Sequence, residues 1–150
     1  AQGVAMPRFA ESVDVSTTVE QSFDYVTDQS KVPEWNEHVE RVEVVGDAPV
    51  GVGEVLVQHR RRGSKAFDLT FEVVEHDRPR RHSVTGTVFG VVTTMGFDFA
   101  QSPSGTRITM TADVSGKGPR ALLASLVARE MRKSVLSGLE DLERRLRPPS

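Results

Sequence analysis

The chain is 150 residues long, carries a net charge of −2, is 37% apolar and 27% charged, and has no cysteine. That balance fits one ordinary folded domain, no apolar run approaches the roughly 20 residues of a membrane span, and disulfides, thiol nucleophiles and thiolate metal sites are excluded. The near-neutral charge gives no general attraction for nucleic acid, and a cysteine-free chain suits a reducing cytoplasm.

The first five residues, Ala1 to Ala5, carry neither a charged nor an apolar targeting pattern and read as an expression remnant; the domain is expected over 6–147. In Arg8–Val15, Phe9, Val13 and Val15 alternate with polar residues, as in a half-buried strand. Thr18-Val19-Glu20-Gln21 then has the spacing of a capping box, and Val19, Phe23 and Val26 follow at helical intervals. A short helix to about Asp28 is expected, and Lys31–His38, with Pro33 and Trp35, predicts a second helical turn. From Val39 to Val114 the pattern is strands and turns, near Val39–Val45, Glu54–His59, Ala66–Val74, Arg80–Val88, Thr93–Gln101 and Thr106–Val114. The gaps are too short for parallel crossovers, so the strands are expected to pair antiparallel. Pro119–Leu146 repeats apolar residues every three or four positions, from Leu123 through Val127, Met131, Val135, Leu139 and Leu142 to Leu146. This predicts an amphipathic helix about 40 Å long.

Four stretches in this order carry a resemblance. Val15-Ser16-Thr17-Thr18-Val19-Glu20-Gln21-Ser22-Phe23 resembles a strand-to-helix entry, with Ser22 departing from an expected apolar residue. Asp28 followed by Val32-Pro33-Glu34-Trp35 resembles an Asp-then-Pro-x-Trp element. Glu75-His76-Asp77-Arg78-Pro79 resembles an acidic–proline hairpin, and Gly105-Thr106-Arg107 a turn before the last strand. Together they resemble the START-like, helix-grip (SRPBCC) superfamily, in its polyketide cyclase/dehydrase branch. The resemblance spans Arg8 to Leu146. It implies an α+β fold of order β-α-α-β6-α, a seven-stranded curved antiparallel sheet around the long C-terminal helix. It also implies a pocket and a ligand class, and no particular reaction.

Strand alternation nominates the side chains facing that helix. Phe67, Leu69 and Phe71 share one face, as do Met95, Phe97 and Phe99; Met110 joins them, with Leu123, Val127 and Met131 from the helix. These are the expected ligand-binding residues, with a solid core as the alternative. Two polar residues fall on the same inner register. His82 lies in phase with Val84 and Glu11 with Phe9 and Val13, which makes them the candidates for proton transfer if a reaction occurs. None of the four histidines is spaced as an adjacent-turn helical pair, and no phosphate loop or nucleophile elbow is present, so no metal or cofactor is expected. The basic clusters His59–Arg62 and Arg78–His82 lie at opposite ends of one strand, roughly 30 Å apart, and do not make one nucleic-acid surface. Hairpin parity instead places Arg60, Arg61, Arg62, Lys65, Phe89, Lys117 and Arg120 around the pocket mouth. A cationic mouth over an apolar cavity suits a lipid, a fatty acyl chain or a polyketide, the last presented by an acyl carrier protein. Three functions stay open: a binding protein for a small hydrophobic or amphipathic ligand, a cyclase, aromatase or dehydratase using the same pocket, and an interaction module with a filled core.

Overall fold

A computed structural model describes residues 4–5, 8–46, 51–117 and 119–146, with side chains for 8–46, 51–115 and 122–146. Strand β1 (Val4–Ala5) and strand β2 (Arg8–Val15) open the chain, and α1 (Val19–Thr27) follows. A single 3-10 turn (Gln29–Lys31) leads into α2 (Val32–Trp35). Six strands come next: β3 (Val39–Val45), β4 (Val55–Arg62), β5 (Lys65–Asp77), β6 (Arg81–Val88), β7 (Val91–Ser102) and β8 (Gly105–Lys117). The long helix α3 (Pro119–Arg145) closes the chain.

All pairings are antiparallel, in the order β8-β7-β6-β5-β4-β3, and β8 carries both β1 and β2 on its remaining edge. Val4–Ala5, to which the sequence pattern assigned no element, thus continue the line of β2, and the sheet keeps seven strand positions. It is a curved sheet against a long C-terminal helix, the helix-grip arrangement.

The entry to α1 shows how local sequence sets this frame. Thr18 accepts a hydrogen bond from the Gln21 backbone N–H, and Gln21 Oε1 accepts one from the Thr18 N–H, both at 3.1 Å. This reciprocal cap stops β2 and starts α1. The Gly105-Thr106-Arg107 turn then staples that corner. Gly105 has φ +145°, and a Cβ there would lie 2.6 Å from the Val15 carbonyl oxygen, so only glycine allows the approach. The buried Thr106 hydroxyl donates to the Thr17 carbonyl at 2.8 Å, and Arg107 forks onto the Asp14 carboxylate. Each residue of the motif therefore holds the β8 start against the β2–α1 link.

Two apolar clusters result. One joins Phe23, Phe99, Ile108 and Trp35 with Val135, Leu139 and Leu142 of α3 and with Leu146 just after it. The other joins Leu56, Phe71, Val73, Val84 and Val88 with Ala124, Val127 and Ala128. Helix α3 packs chiefly on β8 and β2, and a space remains between its first half and the inner faces of β4, β5 and β6.

Candidate functional site

That space is a cavity of about 570 Å³. Its apolar wall includes Leu69, Phe71, Met95, Phe97, Met110, Leu123, Val127 and Met131, eight of the ten residues nominated from alternation. The remaining two lie elsewhere. Phe99 faces inward but packs edge-on against Phe23 at 5.2 Å, beneath α1 in the dry cluster. Phe67 stacks at 5.8 Å on Phe89, which itself lines the entrance. Gly86 is paired with Phe71, and a Cβ there would fall 2.4 Å from the Thr70 carbonyl oxygen and 2.8 Å from the Phe71 ring. The bare glycine backbone is what lets that ring lie flat along the wall.

The basic residues at the end of β4 divide, and the expected ring of arginines is corrected. Successive strand residues point to opposite faces. Arg60 and Arg62 turn inward with Leu56 and Gln58, while Arg61 turns outward to Glu40. His59, also outward, bonds Asp68 at 2.8 Å and Glu43 at 3.3 Å. Arg62 crosses the entrance to Glu130 of α3 at 3.2 Å. Lys65 is exposed in the following hairpin and does not line the cavity. The side chains of Lys117 and Arg120 lie outside the described residues.

Arg60 also lines the cavity. It reaches into the cavity, where Nη1 donates to Gln58 Oε1 at 2.8 Å and the buried Nε has no hydrogen-bond partner. Burial pulls its pKa down from the ordinary arginine range. Trp35 of α2 lines the same cavity. Its ring meets Phe97 edge-on at 6.1 Å, and its buried Nε1 is also without a partner. The alternation Leu56, Gln58, Arg60 was visible along β4, but triple arginine reads as surface until the fold covers one of the three.

His82 sits in the wall at 4% exposure. Its Nδ1 is 3.1 Å from Nδ1 of His76, and Phe23 and Phe97 close around the ring. Burial, helped by the neighbouring imidazole, lowers its pKa to about 4. Glu11 faces α3 as its register predicts, but its carboxylate is held by Arg132 at 2.8 Å and is not part of the cavity wall. Glu54, which alternation does not single out, is buried just before β4, and burial raises its pKa while the charge of His76 opposes the shift. No described helix is long and apolar enough to cross a membrane.

Known structures share this architecture at low identity. The di-domain ARO/CYC BexL from the BE-7585A biosynthetic pathway matches with a TM-score of 0.80 and 17% identity, over 97% of this chain and 51% of that one. The di-domain ARO/CYC StfQ from the steffimycin pathway matches with a TM-score of 0.79 and 12% identity, over 93% of this chain and 50% of that one. This chain therefore spans about half the length of either di-domain protein. Ara h 8.0201, at 14% identity and a TM-score of 0.78, is matched over 95% of this chain and 98% of its own. No curated protein matches. A family model described as "Polyketide cyclase / dehydrase and lipid transport" matches residues 6–147, nearly the whole chain, and the protein belongs to that family.

Proposed function

We propose that this protein binds a small amphipathic ligand, a lipid, fatty acyl or polyketide-like molecule, with its oxygen-bearing end inside the cavity. The observation that carries this reading is the pair of unpartnered donors, Arg60 Nε and Trp35 Nε1, on two residues of an otherwise mainly apolar wall. A buried donor left unmade costs about 1–3 kcal/mol, so a ligand acceptor there recovers what folding leaves unsatisfied. Gln58 extends the pattern: its amide oxygen is taken by Arg60, and its NH2 remains free to donate. Aromatic and thioether side chains accommodate varied apolar guests around this polar end. The exposed Leu126 and Phe89, which line the cavity together with Arg62, suit an acidic carrier protein that would present such a chain.

A second reading, a cyclase, aromatase or dehydratase in the same pocket, is favoured by His82 in the wall, the one imidazole among the nominated proton-transfer residues. Native mass spectrometry of freshly purified protein tests the first reading by the mass of a retained lipid or polyketide. Arg60→Met should release a ligand that carries an anionic or carbonyl end and leave a purely apolar probe bound. Absence of any adduct, together with no uptake of apolar probes, overturns the binding function. Conversion of an added polyketide chain that disappears in His82→Phe would establish the second reading.

A further inference from the structure

Behind the cavity wall lies a cluster that ligand packing alone does not require. His82 from β6 and His76 from β5 meet through their Nδ1 atoms at 3.1 Å, with rings nearly perpendicular at 5.3 Å. A bulge in β5 between Val73 and Glu75 shifts the register, so that His76 pairs directly with His82. Two neutral imidazoles in this contact need one Nδ1–H and one bare Nδ1; a third proton makes one ring an imidazolium that donates to its neighbour. A fourth proton would put two like charges in contact, so the pair accepts one proton and shares it. With Nδ1 of His82 committed to His76, its Nε2 is the nitrogen left for the cavity. Glu54 supplies a buried carboxyl within electrostatic reach of His76, and its Oε2 has no partner.

The other charged groups around this cluster are already engaged or lie across the cavity. Phe23 of α1 and Phe97 of β7 cover the His82 ring with apolar surface. Glu75, Arg81 and Asp98, on the outward face of the same strands, bond one another. On α1, Asp24 is held by Arg78 and Tyr25 donates to Glu34. Across the cavity stand Arg60 of β4 and the Arg62–Glu130–Lys133 chain, with Glu37 and His38 paired at the α2–β3 loop.

We propose that His82 in the cavity wall and His76 behind it form a proton-accepting pair, so that an anionic amphipath is taken up together with one proton. The inference rests on the proposed binding function. An anion in the cavity, drawn by Arg60, adds negative charge next to a neutral imidazole pair. The pair then takes a proton from solvent; no covalent bond is made or broken. His82 Nε2–H donates to the ligand oxyanion, and His82 Nδ1 accepts from His76, which carries the added proton as an imidazolium. Burial disfavours a charge on His82 in the empty cavity, and a ligand anion opposes that penalty.

Decanesulfonate is the probe, because its headgroup stays anionic across the working pH range, and decanol is the neutral control. Calorimetric titration at pH 6 in buffers of different ionisation enthalpy reads protons taken up per bound ligand. Wild-type protein should take up about one proton with decanesulfonate, and affinity should rise by up to about tenfold per pH unit on acidification. Decanol should bind with no uptake. His82→Phe should bind both probes without uptake; where that variant folds poorly, His76→Gln, which keeps a hydrogen-bonding group, should cut the uptake in the same way. Decanesulfonate bound by wild type with no proton uptake between pH 5 and pH 8 overturns the proposal, as does uptake that survives in both variants. Binding of decanol without decanesulfonate overturns it too and leaves the cavity function standing. Failure of both probes to bind removes the cavity function itself.

Discussion

The two halves of α3 carry the same amphipathic spacing and meet different surroundings. In the second half, Leu139 and Leu142 are 3% and 0% exposed, locked with Phe23, Phe99 and Ile108. In the first half, Leu122 and Leu126 are 72% and 52% exposed, while Val127 and Met131 border the cavity. The last turns of the helix cover a filled core, while from Leu123 to Gly138 it also borders a space. An apolar stripe states that a helix has something to cover; it does not state whether that is side chain, ligand or partner.

The largest expected effect breaks the comparison at its dry end. Leu142→Ala should cost about 3 kcal/mol, because the removed atoms leave a hole among side chains that cannot collapse into it. Urea denaturation should show that loss, with a melting point lower by roughly 6–12 °C. Leu126→Ala, at the other end, should stay within about 0.5 kcal/mol of wild type. Equal costs would mean that the first half of α3 is packed in solution.

Next in size is an acid effect at the boundary between the two ends, where His82 touches both Phe23 and Phe97. Its folded pKa of about 4 lies below the ordinary value of 6.5. The unfolded chain therefore binds the proton first, so this contribution is complete above about pH 6.5 and is lost as pH falls towards 4. Roughly 3 kcal/mol is the upper scale of that loss. Unfolding followed from pH 7 to pH 4 should show a steeper decline for wild type than for His82→Phe. Parallel curves would show that the ring titrates normally.

Gly105→Ala sharpens the comparison from the closed corner. Its positive φ and the Val15 carbonyl 2.6 Å from any Cβ predict a loss of about 2 kcal/mol, with probe binding unaltered. A change in affinity of more than a fewfold would link the corner to the cavity.

The smallest effects belong to the open rim. Arg62 and Glu130 are exposed, so Arg62→Glu should change stability by about 1 kcal/mol or less. It should nevertheless slow association of decanesulfonate at low salt, because charge at the entrance acts on the approach of an anion. Arg61→Glu, on the other face, should slow it less. Stopped-flow rates for the two variants distinguish a rim charge from net charge; equal slowing would favour net charge.

Much of the fold was legible because its signals are local. The Thr18–Gln21 cap, the period of two in Phe67–Val73 and the period near 3.6 in α3 each reflect backbone geometry within a few residues. The same periodicity nominated most of the cavity's apolar wall. It misplaced Phe99, since an inward-facing side chain meets whatever crosses above it, and there α1 crosses. It grouped Arg60 with Arg61 and Arg62 because charge and adjacency were counted before alternation was applied to them.

By itself, then, the sequence determined the order of strands and helices, the inner and outer faces and the capped corner, all consequences of short-range dihedral and side-chain preferences. Only the tertiary structure decided that Arg60 and Trp35 line one cavity, each with a buried donor unmet. It alone brought His76 onto His82 through a bulge and buried Glu54. Those relations join residues far apart along the chain, and their energies come from desolvation and charge at close range, which exist only once several elements have closed around the same space.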